Sequence, residues 1–239
     1  MDKIKSLQSI INKSNNIVFF GGAGVSTASG LKDFRSKDGL YNMKYKYNVE
    51  EILSHHFFMN NTKEFYDFYK KYFNLNNIKP NIVHEYLTKL ENNGKLKAII
   101  TQNIDGLHTL AGSKNVLELH GSILRNYCMK CHKFYDNKYI FNSKDIPRCS
   151  CKSIIKPDVV LYEEELDYDV LNTSIKYISN ANTLIVAGTS LNVYPASGLI
   201  RYFKGNNLII INKDTTNMDS IASLVINDDL KKVFSNLTL

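Results

Sequence analysis

The sequence contains no tryptophan and only four prolines in 239 residues. It also lacks any apolar run near the roughly 20 residues that a membrane-spanning helix requires. The first residues lead into an amphipathic pattern rather than into the apolar segment of a secretory signal. We therefore expect no membrane contact and a cytoplasmic location. Since 44% of the residues are hydrophobic, the chain can bury a substantial core, and disorder is not favoured.

Acidic residues are in the minority, and the formal net charge is +7. The lysines are scattered, and no block of five or six basic residues stands out. Most of them are therefore expected to be solvated surface residues. Nucleic acid is only weakly indicated as a partner.

Short apolar runs rich in valine and isoleucine alternate with helical patterns along the chain. Each run ends in a polar or glycine-rich string, and the runs are 17–20, 98–100, 116–119, 184–187 and 208–211. Helical spacing is found at 65–73, behind a cap at Asn61 or Thr62, and at 83–90, between Pro80 and Gly94. This alternation predicts an α/β fold with a doubly wound, Rossmann-like parallel sheet, whose ligands bind beyond the carboxyl ends of the strands.

Two stretches do not follow the alternation. Residues from about 36 to 79 are predicted to form a helical insertion, and residues from about 122 to 157 contain all four cysteines. We interpret both as one smaller lobe that packs beside the sheet. The whole chain, residues 1–239, is then expected to be a single domain.

The string Gly-Gly-Ala-Gly-Val-Ser at 21–26 follows the first predicted strand and could open a helix whose amides face a pyrophosphate. A dehydrogenase fingerprint would place glycine where Thr27 stands and an acidic residue at the end of a second strand about 20 positions later, and neither is found. A tight turn that needs glycine only for its backbone geometry remains the alternative.

The four cysteines form two close pairs. Two residues separate Cys128 from Cys131, and one residue separates Cys149 from Cys151. Four thiolates in this arrangement favour a tetrahedral zinc site that is structural, because four protein ligands leave no open position for substrate. Buried thiols, disulfides and a haem attachment motif ending at His132 are the alternatives, but haem leaves the second pair unexplained and disulfides are rare in the cytoplasm.

Several longer strings resemble the signatures of the sirtuin family, and they occur in the family's order. They are GAGVSTASGLKDFRS at 22–36, TQNIDGLH at 101–108, LHG at 119–121, KPDVV at 156–160 and GTSL at 188–191. With Asn212 and the segment 224–226, the resemblance covers nearly the whole chain. It implies an NAD-dependent protein lysine deacylase, which transfers the acyl group to ADP-ribose and releases nicotinamide.

The resemblance also implies roles for individual residues. His120, which by itself would be interpreted as a structural histidine, becomes the catalytic base, and Asn103 assists it. The residues that would contact NAD are Gly22, Ala23, Gly24, Thr27, Asp33, Phe34, Arg35, Gln102, Asn103, Ile104, Asp105, His120, Gly188, Thr189, Ser190, Asn212 and Leu230. Val159, Val160 and Tyr162 would contact an acyl-lysine protein or peptide. His108 would have a supporting role.

The chain departs from the family pattern at a few positions. Lys32 replaces a usual proline, Glu163 replaces a usual glycine, and Lys152-Ser153 replaces a common glycine pair. A positive φ at Glu163 would cost about 1 kcal/mol and would affect peptide binding. Sirtuins that prefer acidic acyl groups carry an arginine three residues from a tyrosine, and no arginine occurs at 40–47, so we expect acetyl or longer neutral groups to be preferred over succinyl.

Two other functions remain open at this level. An NAD hydrolase or ADP-ribosyltransferase would release nicotinamide without an acylated peptide. A catalytically silent module that senses NAD or binds a protein would not need the base His120.

Overall fold

The computed structural model describes residues 2–34, 36 and 38–239. The strands are β1 Ile17–Gly21, β2 Leu96–Thr101, β3 Val116–Glu118, β4 Gly121–Cys128, β5 Phe134–Asp136, β6 Ile155–Val159, β7 Thr183–Ala187, β8 Asn207–Asn212 and β9 Leu224–Asn227. The α-helices are α1 Lys3–Lys13, α2 Val49–Ile52, α3 His55–Asn60, α4 Thr62–Tyr72, α5 Ile82–Asn92, α6 Leu107–Leu110, α7 Asn137–Asn142, α8 Tyr168–Asn180 and α9 Leu230–Ser235. None of these helices is long and apolar enough to cross a membrane.

Six strands form a parallel sheet in the order β3-β2-β1-β7-β8-β9. The chain extends the sheet from β1 in one direction and then resumes at β7 on the other side of β1. The predicted doubly wound fold is therefore confirmed, and its switch point lies between β1 and β7, where such sheets bind ligands. All five predicted apolar runs lie in or overlap strands of this sheet.

The sheet is buried on both faces, which explains its continuous apolar runs. Side chains of β1 alternate, so that Phe19 packs in one core cluster and Val18 and Phe20 in another. All residues of β1 and β7 are buried. Burial of each such large apolar side chain contributes about 1.5–3 kcal/mol.

The predicted helices at 65–73 and 83–90 correspond to α4 and α5. Asn61 precedes α4, and Asn81 caps α5 by accepting a hydrogen bond from the Val83 N–H at 2.9 Å. The string after β1 differs from the prediction. It forms two short 3-10 turns, Ala23–Val25 and Thr27–Ser29, instead of opening a longer helix. The second turn ends at Gly30, whose φ of +92° lies in the left-handed region that terminates helices.

The smaller lobe combines the helical insertion with the cysteine-rich segment. Strands β5, β4 and β6 form an antiparallel sheet in that order. Aromatic residues of α3 and α4, including Phe58, Phe65 and Tyr69, share one core cluster with Ile123 and Ile155 of this sheet. The predicted smaller lobe is therefore present, and its two segments are held together by a common core.

Two histidines in the main core are buried side by side. The rings of His84 and His108 lie 4.7 Å apart. His84 Nδ1 accepts the Asn81 N–H at 3.2 Å and completes a capping box. In the part of the chain that the structure describes, His84 Nε2 and both ring nitrogens of His108 have no hydrogen-bond partner. Burial therefore lowers the pKa of His84 to about 4 and the pKa of His108 well below 6.5.

This pair predicts a loss of stability in mild acid. A histidine with a lowered pKa in the folded state favours the folded state above pH 6.5, and this contribution is lost as the pH falls from 6.5 towards 4. For His84 alone the loss amounts to about 3 kcal/mol. We expect a His84→Gln variant, which keeps the capping acceptor but does not titrate, to lose less stability between pH 7 and pH 4.5 in denaturant titrations. If both proteins lost the same free energy of unfolding between pH 7 and pH 4.5, this assignment would be contradicted. Any loss of zinc in acid affects both proteins alike, so it does not alter the comparison.

Candidate active site

Loops at the carboxyl ends of the central strands are joined directly by backbone hydrogen bonds. Gly22 N–H donates to Ala187 O at 3.1 Å and Gly24 N–H donates to Gly188 O at 2.8 Å. A Cβ at Gly24 would lie 2.7 Å from Gly188 Cα, so the close approach of these two loops requires glycine. The crevice at the switch point therefore has a floor of tightly packed backbone.

Three buried polar side chains form a chain of hydrogen bonds in this crevice. Asn103 Nδ2 donates to Ser26 Oγ at 3.1 Å, and Ser26 Oγ donates to Asp105 Oδ2 at 2.7 Å. The other carboxylate oxygen of Asp105 accepts the Leu107 N–H at 2.9 Å. The chain joins the loop after β1 to the loop after β2 and holds both Asn103 and Asp105 in one orientation.

Burial changes the acidity of Asp105. It raises the pKa of the carboxyl group, while the hydrogen bonds from Leu107 and Ser26 act in the opposite direction. Carboxylate oxygens accept hydrogen bonds and match an amide donor well. This side chain is therefore suited to receive a carboxamide group.

Gln102 and Thr189 connect the two halves of the crevice. Gln102 Nε2 donates to Thr189 Oγ1 at 3.0 Å, and the same hydroxyl oxygen accepts the Leu191 N–H at 3.2 Å. The contact spans the strand ends of β2 and β7. It brings together two residues that are 87 positions apart in the sequence.

His120 lies in the turn between β3 and β4, two residues beyond the end of β3. Its Nδ1 is 2.8 Å from Gln102 O. A carbonyl oxygen can only accept, so Nδ1 carries the proton and Nε2 is the unprotonated nitrogen of the neutral ring. Burial lowers the pKa of His120 below 6.5, although the hydrogen bond to Gln102 acts in the opposite direction. A neutral imidazole with a free Nε2 can act as a base at neutral pH.

The turn that carries His120 is bonded to the segment after β6. Val160 N–H donates to His120 O at 3.0 Å. Gly121 has a φ of +73°, and a Cβ there would overlap the Asp158 carbonyl oxygen. Arg125 then joins three strands, since its Nη1 lies 2.7 Å from Glu118 Oε2 and its Nε lies 2.7 Å from Asp158 Oδ2.

The segment from 159 to 164 is attached to the N-terminus of α3. Tyr162 forms a parallel bridge with Ser54, and the Tyr162 and Tyr41 hydroxyl groups are hydrogen-bonded. Glu163 has a φ of +74°, so the cost foreseen for a non-glycine residue applies here. Its side chain offsets part of this cost, because Glu163 Oε2 accepts the His56 N–H at 2.9 Å.

Glu164 fixes the same segment from its other side. Its carboxylate lies 2.8 Å from His55 Nδ1 and 2.9 Å from Lys156 Nζ, and it accepts the Leu161 N–H at 2.9 Å. These contacts lower the pKa of Glu164, with burial acting in the opposite direction. The segment is thus held at several points before any ligand binds.

The four cysteine sulfur atoms form a compact group. All of them lie within 4.8 Å of one another, with 3.4 Å between Cys128 and Cys151 and 3.5 Å between Cys131 and Cys149. Zinc–sulfur bonds of about 2.3 Å in a tetrahedron require sulfur atoms roughly 3.8 Å apart, so the group fits a zinc ion. Backbone N–H groups of Lys130 and Cys131 point to Cys128 Sγ, an arrangement that favours thiolates.

The remaining predicted residues lie around the crevice with mixed exposure. Thr27 Oγ1 donates to Gly24 O at 3.0 Å, and Asp33 Oδ1 accepts the Ser36 N–H at 2.8 Å. The Phe34 ring lies 5.5 Å from the Tyr41 ring. Arg35 lies outside the described residues.

On the other half of the crevice, Ser190 is exposed beyond β7, and Asn212 Nδ2 donates to Asp214 O at 3.0 Å. Ile104 O accepts the Ile123 N–H at 2.9 Å, which connects the loop after β2 to the smaller lobe. Leu230 is buried in the main core.

Sequence reasoning missed two residues that organise the site. Ser26 links Asn103 to Asp105, and its place inside the glycine-rich string was the available signal. Arg125 had no recognisable signal, because its ion pairs with Glu118 and Asp158 form only where β3, β4 and β6 meet.

Known proteins resemble this chain over nearly its full length. A family model described as the Sir2 family matches residues 22–195. The NAD-dependent protein deacetylase of Clostridium perfringens (strain 13 / Type A) is 59% identical, with 99% of this chain and 98% of the relative covered. The NAD-dependent protein deacetylase of Fusobacterium nucleatum is 49% identical, with 99% and 91% covered.

Solved structures agree with these sequence matches. A Sir2 in complex with deacetylated p53 peptide and 3'-O-acetyl ADP-ribose superposes with a TM-score of 0.89 at 40% identity, covering 97% of this chain and 96% of the other. Sir2Tm bound to a propionylated peptide gives a TM-score of 0.86 at 39% identity, covering 98% and 96%.

Proposed function

This chain belongs to the Sir2 family and is an NAD-dependent protein deacetylase, and we propose that His120 is its catalytic base. The observation that carries the proposal is the hydrogen bond between His120 Nδ1 and Gln102 O, which leaves Nε2 unprotonated. NAD is the co-substrate: the acyl oxygen of lysine bonds to its sugar carbon as the bond from that carbon to nicotinamide breaks. His120 Nε2 then accepts a proton from a hydroxyl group of that sugar.

Asn103 and Asp105 are proposed to bind the nicotinamide end of NAD. Asp105 receives the carboxamide N–H group, and Ser26 keeps its carboxylate oriented for that contact. Asn103 assists the reaction at the adjoining sugar, since its amide is fixed by the same serine. Ile104 covers this end of the crevice and helps to exclude water.

The other proposed contacts to NAD lie around the loop after β1, which contains Gly22 and Gly24, and the loop after β7, which contains Gly188. The proposed set beyond the nicotinamide pocket is Gly22, Ala23, Gly24, Thr27, Asp33, Phe34, Arg35, Gln102, Gly188, Thr189, Ser190, Asn212 and Leu230. The side-chain contact between Gln102 and Thr189 supports a ribose site between β2 and β7. Leu230 is buried in the main core and is 7% exposed.

The substrate peptide is proposed to pair with the segment that contains Val159, Val160 and Tyr162. This segment is bonded to the base-bearing turn through Val160 N–H, so a peptide on it lies beside His120. Cys128, Cys131, Cys149 and Cys151 are placed to bind a structural zinc ion, which stabilises the sheet that carries the segment. We also propose that residues 1–239 are one domain, with the insertion at about 36–79 and the zinc module at about 122–157.

The acyl group is proposed to be acetyl or a longer neutral chain. The Tyr41 hydroxyl is hydrogen-bonded to Tyr162, and its ring lies against Phe34, so aromatic side chains border the substrate segment at Tyr162, and no arginine occurs at 40–47. We expect kcat/KM for an acetyl-lysine peptide to exceed that for its succinyl twin by at least about tenfold, since a carboxylate buried without a partner costs more than about 1 kcal/mol. A butyryl twin is the control for size, and faster turnover of the succinyl peptide would refute the assignment.

Product analysis tests the function as a whole. Purified protein is incubated with NAD and an acetyl-lysine peptide, and all products are followed by mass spectrometry. A deacetylase yields free lysine, nicotinamide and acetylated ADP-ribose in equal amounts. Nicotinamide release without the peptide would instead identify an NAD hydrolase or an ADP-ribosyltransferase, and no turnover with NAD binding retained would identify a silent sensor. A cytoplasmic location is part of the proposal, because zinc thiolates persist in reducing compartments.

A further inference from the structure

The positive charge of the protein is concentrated in the zinc module. Residues 122–157 contain six lysines and two arginines but only two aspartates, so they carry a formal charge of +6 out of +7 for the whole chain. A zinc ion with four thiolates adds about −2, and the module remains strongly positive. The rest of the chain is nearly neutral, so the net positive charge of the protein lies in this module.

Part of this charge is used inside the structure, and part is exposed. Arg125 pairs with Glu118 and Asp158, and Lys156 pairs with Glu164. Lys130 and Lys133 are exposed on the loop between β4 and β5. Within residues 2–34, 36 and 38–239, neither of these two lysines has a carboxylate partner at salt-bridge distance.

Exposed apolar side chains accompany these lysines. Phe134 is 52% exposed and Met129 is 37% exposed, and the Phe134 ring contacts the ring of Tyr127, which is 36% exposed. We call the surface formed by Tyr127, Met129, Lys130, Lys133 and Phe134 the basic aromatic face. A surface on which lysines without a carboxylate partner lie beside exposed apolar groups matches a ligand that is acidic and partly apolar.

A cavity connects this face to the substrate segment. It has a volume of about 260 Å³, and its lining includes Tyr127, Met129, His132, Lys156, Val159 and Val160. Of the acidic groups at its wall, Glu164 pairs with Lys156, and Asp158 shares Arg125 with Glu118. Since Val159 and Val160 belong both to this cavity and to the proposed peptide segment, a substrate chain bound there passes the cavity within a few residues of its acyl-lysine.

We propose that the basic aromatic face and this cavity bind the part of the protein substrate that flanks the acyl-lysine on one side, and that they select acidic residues beside an apolar one. This inference rests on the proposed function, because it assumes that the peptide pairs with the segment at 159–162. Continuity with that segment favours a polypeptide over nucleic acid as the ligand. Each exposed ion pair contributes about 1.4- to 5-fold in affinity.

Matched acetyl-lysine peptides test the proposal. Two glutamates or two lysines are placed either before or after the acetyl-lysine, with a leucine next to them. We expect the glutamate peptide on one of the two sides to have a KM about 3- to 10-fold lower than its lysine twin, with similar kcat, and 0.5 M NaCl to abolish most of the difference. Because the KM ratio is taken within one protein, it does not depend on the fraction of folded enzyme.

A charge-reversal variant locates the effect. The double variant Lys130→Glu/Lys133→Glu should abolish or invert the KM ratio while it retains its zinc. The control is Lys3→Glu/Lys5→Glu on α1, which changes the net charge by the same amount. This control should keep the wild-type KM ratio. The proposal would be overturned if all peptides had equal KM values, or if both variants had the same KM ratio. Tight binding of a single-stranded oligonucleotide, without any preference among the peptides, would also overturn it. Absence of turnover with every acetyl peptide would instead refute the deacetylase mechanism.

Discussion

Replacing His120 with alanine is expected to lower the rate of lysine deacetylation by about 10²–10⁴-fold. The tautomer set by Gln102 O makes Nε2 the proton acceptor in the crevice, and alanine removes this acceptor. NAD binding should change little, because the other proposed contacts to NAD lie on other loops. The measurement is steady-state formation of free lysine from an acetyl-lysine peptide, together with the Kd of NAD.

Exchange of labelled nicotinamide into NAD separates the base from the rest of the mechanism. In the proposed reaction the acyl oxygen displaces nicotinamide before His120 accepts a proton, so the variant should retain exchange while losing deacetylation. His56→Ala is the matched control, since His56 is exposed on α3, and it should keep near wild-type rates. If the His120 variant deacetylated within tenfold of the wild type, another group would be the base.

The wild-type pH profile provides a second readout of the same residue. Burial lowers the pKa of His120 below 6.5, so the ring stays neutral at pH 7 and loses its function only when it is protonated at lower pH. The acid limb of kcat/KM should therefore fall below pH 6.5. An acid limb above pH 6.5 would be inconsistent with a buried neutral histidine.

Removal of one zinc ligand is expected to have the second largest effect. Cys128 and Cys149 are buried in the core of the smaller lobe, and zinc binding contributes about 10–16 kcal/mol to folding in isolated zinc modules. Even a third of that value would lower the Tm of a chain of this size by roughly 10 °C, at about 2–4 °C per kcal/mol. We expect Cys149→Ser to lose its zinc, to melt at a much lower temperature and to lose deacetylation.

Loss of activity should follow because the zinc module is connected to the base. Strand β4 begins at Gly121, directly after His120, and β6 leads into Val160, which is bonded to His120 O. Ser153→Ala is the matched control in the same loop, and it should retain zinc, Tm and activity. If the Cys149 variant kept both its Tm and its rate, the metal site would not be structural.

Much of the fold could be predicted because it depends on short-range patterns. The apolar runs that became β1, β7 and β8 are bounded by glycine or polar residues, and each pattern is complete within a few consecutive positions. The zinc ligands were predictable for the same reason, since two close pairs of cysteines indicate one tetrahedral site. The smaller sheet was not foreseen, because β4 and β6 pair across a bulge at 122–126 that no local pattern indicates.

The turn after β1 was also not predictable in detail. Its glycines indicated a close approach of backbone, but the partner loop at Gly188 is more than 160 residues away. From the sequence, a cost at Glu163 could be stated only for the case that its φ is positive. The structure shows that its φ is positive. The hydrogen bond from His56 N–H, which offsets the cost, depends on where α3 packs.

By itself, the sequence determined the parallel sheet, the zinc ligands and the set of strings that identify the family, because each of these depends on residues that are near one another in the chain. Only the tertiary structure decided which nitrogen of His120 is free, how Ser26 joins Asn103 to Asp105, and where the unpaired lysines of the zinc module lie. The first two features are contacts between residues that are not neighbours in sequence, and the third depends on how the zinc module packs. Such contacts form only when the strands and lobes pack together, so no local pattern encodes them.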